Sequence, residues 1–305
     1  MLLSIICPMY NEEKCIEVFL SAITSVLKTI GDAYEIICIN DGSTDDTLNS
    51  LIRKKVKFPE LRIINLSRNF GKEPALTAGL QLSKGDVVIP IDADLQDPPE
   101  IIRALVAKYR EGYDVVLARR IDRKSDSFVK RISATCFYRL LNKISNIDIP
   151  RDVGDCRLIS RRVLDVINQL PENQRYMKGM FAWVGFSTGQ VDYVRARRVI
   201  GDSRFNWWKL WNLALEGITS FSTAPLRIWT YIGVFVATIS FIYGVWIVLK
   251  TLITGIDVPG YASLTTIVLF LGALQLIGIG IVGEYIGRIY METKKRPTYI
   301  IESER

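Results

Sequence analysis

The apolar positions of this chain fall first into short runs and then into two long ones. Residues 2–7, 34–40, 61–66 and 86–91 are runs of six or seven residues dominated by Ile, Val, Leu and Cys. Short apolar runs rich in β-branched residues and bounded by polar turns read as buried strands. Between them lie segments of helical spacing, one capped by Asn11 and running to about Ile30, another over about residues 73–83. Strands alternating with helices predict an α/β fold with a mostly parallel sheet. Residues 187–194 read as a later strand. Residues 128–145 read as a helix with a basic edge of Lys130, Arg131, Arg139 and Lys143, a surface that suits either solvent or phosphate.

The pattern then changes. Trp207, Trp211, Ala214, Ile218 and Phe221 recur at helical spacing, as in amphipathic helices that lie in a bilayer interface. Residues 228–249 and 258–283 are stretches of 22 and 26 residues without a charge. About 20 apolar residues cross the hydrocarbon of a bilayer, so each predicts a transmembrane helix. The expected organisation is a folded domain over 1–205, an interfacial helix over 206–226, and a pair of spans at about 228–250 and 260–284, followed by a C-terminal tail to 305.

Charge orients this arrangement. Lys209 and Arg227 precede the first span, and Arg288, Lys294, Lys295 and Arg296 follow the second. The link between the spans holds Lys250 and Asp257. The positive-inside rule places the folded domain and the C-terminus in the cytoplasm, with about residues 251–260 outside. The net charge of +7 beside apolar segments points to an anionic membrane face rather than to nucleic acid. A hydrophobic fraction of 49% against 23% charged excludes bulk disorder. Five cysteines without a Cys-x-x-Cys pair read as free thiols in a reducing compartment. The N-terminus lacks the basic n-region of a signal peptide. There is no histidine, which excludes Ser-His-Asp chemistry and His metal ligands.

Candidate chemistry gathers at strand ends. The fourth run ends in Asp92-Ala93-Asp94-Leu95-Gln96-Asp97-Pro98-Pro99-Glu100. Asp92 and Asp94, two apart on an extended edge, can share a hard cation, while Asp97 before Pro98 suits a helix N-cap. The second run ends in Asp41-Gly42-Ser43-Thr44-Asp45-Asp46-Thr47 and the first in Pro8-Met9-Tyr10-Asn11-Glu12-Glu13. In a parallel sheet these loops share one edge, where α/β proteins bind ligands. Asp155, between glycine and cysteine, either pairs with Arg157 or points into the site beside an acceptor.

These motifs, with Arg68-Asn69-Phe70-Gly71-Lys72, resemble family 2 glycosyltransferases of the GT-A fold, in the wording of their polyisoprenyl-phosphate branch. The resemblance covers about residues 4–120 and continues more loosely through residues 152–161 and Gly201-Asp202-Ser203-Arg204-Phe205. It implies that Pro8, Tyr10, Asn11, Glu12, Asp41, Lys72 and Asp92 bind a nucleotide sugar. It implies that Asp94 and Gln96 approach Mg²⁺ or Mn²⁺ and the diphosphate, with Asp94 and Asp155 catalytic. Ser203 and Arg204, helped by Lys130 or Arg131, would hold an acceptor phosphate. The implied reaction is inverting transfer of a hexose, glucose from UDP-glucose, to undecaprenyl phosphate at the cytoplasmic face of a bacterial inner membrane. The product would feed cell-envelope or O-antigen glycosylation. The same reaction with mannose or aminoarabinose is the alternative, and a non-catalytic nucleotide-sugar-binding membrane protein a further one. The implied partners are the lipid carrier, a separate flippase and a downstream transferase; a homo-oligomer stays open. The Gln-x-x-Arg-Trp motif of processive synthases does not occur.

Overall fold

A computed structural model describes residues 1–121, 153–173, 175–194, 222–254 and 260–305. The four runs form strands β1 (Leu2–Met9), β2 (Ala33–Asn40), β3 (Leu61–Leu66) and β4 (Val87–Pro90). They lie side by side in the order β4-β1-β2-β3, all parallel. Helices α1 (Ile16–Ile30), α2 (Thr47–Lys55), α3 (Lys72–Leu82) and α4 (Ile101–Arg110) follow the strands in turn. The runs are mostly apolar because both faces of the sheet are covered, and Ser4, Glu35, Asn40 and Asn65 are buried polar residues among them. Leu3, Ile5 and Cys7 face Phe19, Leu20 and Ile23 of α1, whereas Ile6 faces the layer of Ala75, Ala78 and Leu80 of α3. Alternation along a strand sends consecutive residues to opposite faces.

Four further strands complete an eight-stranded sheet. They are β5 (Val115–Arg120), β6 (Val153–Ser160), β7 (Thr188–Tyr193) and β8 (Ile301–Glu304), and the order is β7-β5-β6-β4-β1-β2-β3-β8. The strand expected at 187–194 is β7. Within the 152–161 motif, Val153–Ser160 are strand β6, which runs antiparallel to both β4 and β5. Val87 pairs with Ser160 and Val88 with Ile159; continuing that register brings Asp155 level with Asp92. Helix α5 (Arg161–Gln169) is capped by Ser160, whose side chain accepts the Val163 N–H, and α6 (Met177–Trp183) follows it.

Two expected caps are not caps. Asn11 does not begin α1, which starts at Ile16. Its φ of 55° is left-handed, a region asparagine tolerates, and its amide is bonded to Thr44 instead. Asp97 does not cap α4, which starts at Ile101. Its carboxylate is buried, accepts the Tyr193 hydroxyl and lies 3.5 Å from Arg120.

The long apolar stretches are helices α7 (Ala224–Thr254) and α8 (Tyr261–Thr293), of 31 and 33 residues. Both are long and apolar enough to cross a membrane, and almost none of their most apolar windows is buried. Each is about 50 Å long at 1.5 Å per residue, more than the roughly 30 Å of hydrocarbon, so a helix of this length crossing a bilayer would overshoot it or tilt. Gly283 and Gly287, spaced for close helix contact, have open space where a side chain would be. The close approach is at Gly278, where an added Cβ would meet the Trp229 indole at 2.0 Å. The C-terminal tail is not a tail. As β8 it pairs antiparallel with β3, and Ile63 and Arg305 exchange backbone hydrogen bonds of 2.8 and 2.9 Å. The chain that leaves the sheet through α7 therefore returns to it after α8.

Candidate active site

The direction of connection reverses between β1, which leads to β2 on one side, and β4 on the other. A crevice at the carboxyl ends of strands flanking such a point is where open α/β sheets bind ligands. The loops after β1 and β2 are zipped together there. The Asn11 N–H donates to Ser43 Oγ at 3.0 Å, Thr44 N–H to Asn11 Oδ1 at 2.8 Å, and Glu12 N–H to Thr47 Oγ1 at 3.0 Å. Pro8 lies within β1, opposite Ile39. Tyr10 is 37% exposed at the lip.

Asp41 is buried and holds the next loop. It accepts the Phe70 N–H at 2.7 Å and the Gly71 N–H at 2.9 Å, one with each carboxylate oxygen. Burial pushes its carboxyl up, against the pull of these two bonds. Gly42 makes the contact feasible. Its φ is +58°, and a Cβ there would meet the Arg68 backbone carbon at 2.3 Å.

Lys72, the first residue of α3, bridges the crevice. Its Nζ lies 2.7 Å from Asp92 and 2.6 Å from Asp155. Asp92 faces the ammonium, and Asp94 accepts the Gln96 N–H at 3.1 Å. Asp155 does not pair with Arg157, whose guanidinium donates to Gly154 O and stacks over Phe181. It faces Lys178 at 3.5 Å as well as Lys72. Burial would raise the Asp155 carboxyl, but Lys178 and Lys72 outweigh it and hold it well below the usual range. Partial desolvation would lower the Lys72 ammonium, whose side chain is about half exposed, but Asp92 and Asp155 outweigh it and hold it charged.

Sequence reasoning missed Lys178 and Glu73 in this cluster and the packing beneath its acidic loop. Lys178 is on α6, about a hundred residues from Lys72, and no local pattern marks it. Glu73 sits beside Asp155; burial first, and then that carboxylate, push it up to about 7. Asp97, Arg120 and Tyr193 form a buried support under the Asp92–Asp97 loop, with Arg120 Nε donating to the Tyr193 hydroxyl at 2.9 Å. Lys130, Arg131, Ser203 and Arg204 lie outside the described residues, as does most of the expected interfacial helix.

The acidic loop can offer a carboxylate to a divalent ion. Among the described residues no group of three or more acidic or cysteine side chains could cage a metal. Mg²⁺ and Mn²⁺ are commonly held by one or two carboxylates with substrate phosphates and water. Asp94, with the Gln96 amide, fits that pattern.

The glycosyl transferase family 2 model matches residues 4–167, more than half of the chain. This chain belongs to glycosyl transferase family 2. A second family, the GtrB C-terminal hairpin, matches residues 224–289, which span α7 and α8. The bactoprenol glucosyl transferase of Shigella phage SfV is 54% identical over 305 residues, covering 100% of this chain and 99% of that one. A prophage bactoprenol glucosyl transferase homolog of Escherichia coli is 53% identical over 99% of each chain. Among solved structures, mannosyl-3-phosphoglycerate synthase from Rubrobacter xylanophilus superposes with a TM-score of 0.51 at 16% identity, over 71% of each chain. The family 2 enzyme described here is a glycosyltransferase with a GT-A sheet and two appended apolar helices.

Proposed function

We propose that this enzyme transfers glucose from UDP-glucose to a polyprenyl phosphate at the cytoplasmic face of a bacterial inner membrane, with inversion at the anomeric carbon. The observation that carries the reading is full-length similarity, 54% identity, to a bactoprenol glucosyl transferase. The crevice chemistry supports it. Loops 8–13 and 41–47 would hold the uridine. Asp94 with Gln96 would hold Mg²⁺ or Mn²⁺, which when bound neutralises charge developing on the leaving diphosphate. Lys72 and Lys178 add two ammonium groups beside the same crevice. The acceptor explains the absence of histidine. A phosphate monoester has a second pKa of about 6 and is already largely dianionic at pH 7. It needs orientation and charge compensation rather than a general base. Asp155, held ionised between two lysines, suits positioning Lys72 and Lys178 better than taking a proton. Arg204, next to the Trp-rich segment, would orient the lipid phosphate with Ser203 and with Lys130 or Arg131.

The test is transfer of labelled glucose from UDP-glucose to undecaprenyl phosphate by the purified full-length protein in lipid nanodiscs. A chloroform-soluble, acid-labile glucosyl phosphate of β configuration, lost with EDTA and restored by Mn²⁺ or Mg²⁺, is expected. Product formation from GDP-mannose or a UDP-aminoarabinose donor instead would overturn the sugar. Absence of any glycolipid across the donor panel would overturn the reaction.

A further inference from the structure

Strand β8 brings Glu302 to the sheet edge beside β3. The Asn65 Nδ2 donates to Glu302 Oε2 at 2.5 Å. The Asn40 Nδ2 donates to Asn65 Oδ1 at 2.7 Å. The Ser43 N–H donates to Asn40 Oδ1 at 3.4 Å, and the Asn11 N–H donates to Ser43 Oγ at 3.0 Å. Asn40 and Asn65 are 2% and 6% exposed. These contacts form one line of hydrogen bonds, from the last strand of the chain to the two zipped loops of the crevice.

The line has a direction, and Glu302 sets it. An ionised carboxylate only accepts, whereas an asparagine amide can present either end. Facing Glu302, Asn65 must turn its NH₂ outward and its carbonyl inward. Asn40 must then give its NH₂ to Asn65, which leaves its carbonyl for the Ser43 N–H. Remove the acceptor, and both amides can turn over, so that Ser43 N–H meets an NH₂. Buried polar chains of this kind hold one arrangement only when every member is satisfied.

We propose that Glu302, delivered by the segment after α8, is a positioning residue for the nucleotide-binding loops of the transferase. This rests on the reading that loops 8–13 and 41–47 hold the nucleotide. It makes nucleotide affinity depend on docking of the chain that returns from the apolar helices. The strand has other anchors: Arg62 lies 2.6 Å from Glu304, and the Tyr299 hydroxyl donates to Gln81 Oε1 at 2.5 Å. Replacing Glu302 should therefore disorient the amides without undocking β8.

The experiment uses full-length protein in nanodiscs, with Glu302→Ala, Glu302→Gln and Asp41→Ala. Initial rates are measured against UDP-glucose and lipid phosphate, UDP affinity by calorimetry, and Tm by melting. Glu302→Ala is expected to raise the KM for UDP-glucose and the Kd for UDP about fivefold, with kcat and the lipid KM unchanged. Glu302→Gln, whose carbonyl can still accept from Asn65, should recover most of that loss. A lower Tm with unchanged UDP Kd would overturn the proposal and leave Glu302 as sheet-edge packing. Asp41→Ala separates the two readings. If it weakens UDP binding while Glu302→Ala does not, the relay is wrong. If neither variant affects UDP, the nucleotide assignment of these loops is wrong, and the relay falls with it.

Discussion

Asp155 meets Lys72 at 2.6 Å although 83 residues separate them. The contact exists because β6 runs antiparallel to β4 and so begins where β4 ends. Removing Asp155 leaves Lys72 held by Asp92 alone and takes one carboxylate from Lys178. Asp155→Asn is expected to lower kcat by about tenfold to a hundredfold. Asp94→Asn, which removes the carboxylate proposed to face the metal, should lower it by about 10²–10³ or more. Steady-state transfer assays with Mn²⁺ titration check both; near-wild-type turnover of the Asp94 variant at saturating metal would remove it from the metal site.

Glu73 gives stability a pH dependence of definite sign. Its carboxyl is pushed up from 4.5 to about 7 in the folded protein, by burial and by Asp155. The folded state thus binds the proton more tightly than the unfolded chain does. The linked stability is present below about pH 4.5 and is lost as pH rises through about 7. The difference in Tm between wild type and Glu73→Gln, measured from pH 5 to 8, should grow in favour of the variant as pH rises. Parallel curves would mean that Glu73 does not titrate in this range.

Gly42 is required by two independent constraints, a left-handed φ of +58° and the Arg68 backbone at 2.3 Å from an added Cβ. Gly42→Ala must move either its own loop or the 67–71 loop that Asp41 holds. A Tm drop equivalent to about 2–3 kcal/mol is expected, together with weaker UDP binding. Thermal melts with and without UDP would show this; an unchanged Tm would mean that the two loops separate freely.

The return of the chain to the sheet at β8 constrains topology. If α7 and α8 each cross the bilayer, residue 300 lies on the same side as the sheet and residue 257 on the other. In a cysteine-free background, Asp257→Cys should react with an impermeant maleimide in intact cells. Ile300→Cys, at a position that is 52% exposed, should react only after permeabilisation. Labelling of position 300 in intact cells would reverse the orientation.

What the sequence determined by itself is local. Each of the first four strands is a short, mostly apolar run, because both faces of a parallel sheet are covered and most of its positions are buried. Each acidic or polar loop follows its strand directly, so Asp41, Asp92 and Asp94 could be assigned to one edge once the strands were taken as parallel. The apolar helices α7 and α8 were legible for the same reason, since length and lack of charge are properties of a single segment. The tertiary structure decided what depends on pairing between distant segments. Nothing around residue 155 says that its strand runs against β4, yet that direction alone puts Asp155 beside Lys72. Nothing in the last five residues says that they dock on β3, since only the partner edge supplies the backbone bonds that make them a strand. Asn11 and Asp97 show the same limit from the other side. Each has a good local role as a helix cap, and in each a long-range hydrogen-bond partner, Thr44 or Tyr193, holds the side chain elsewhere.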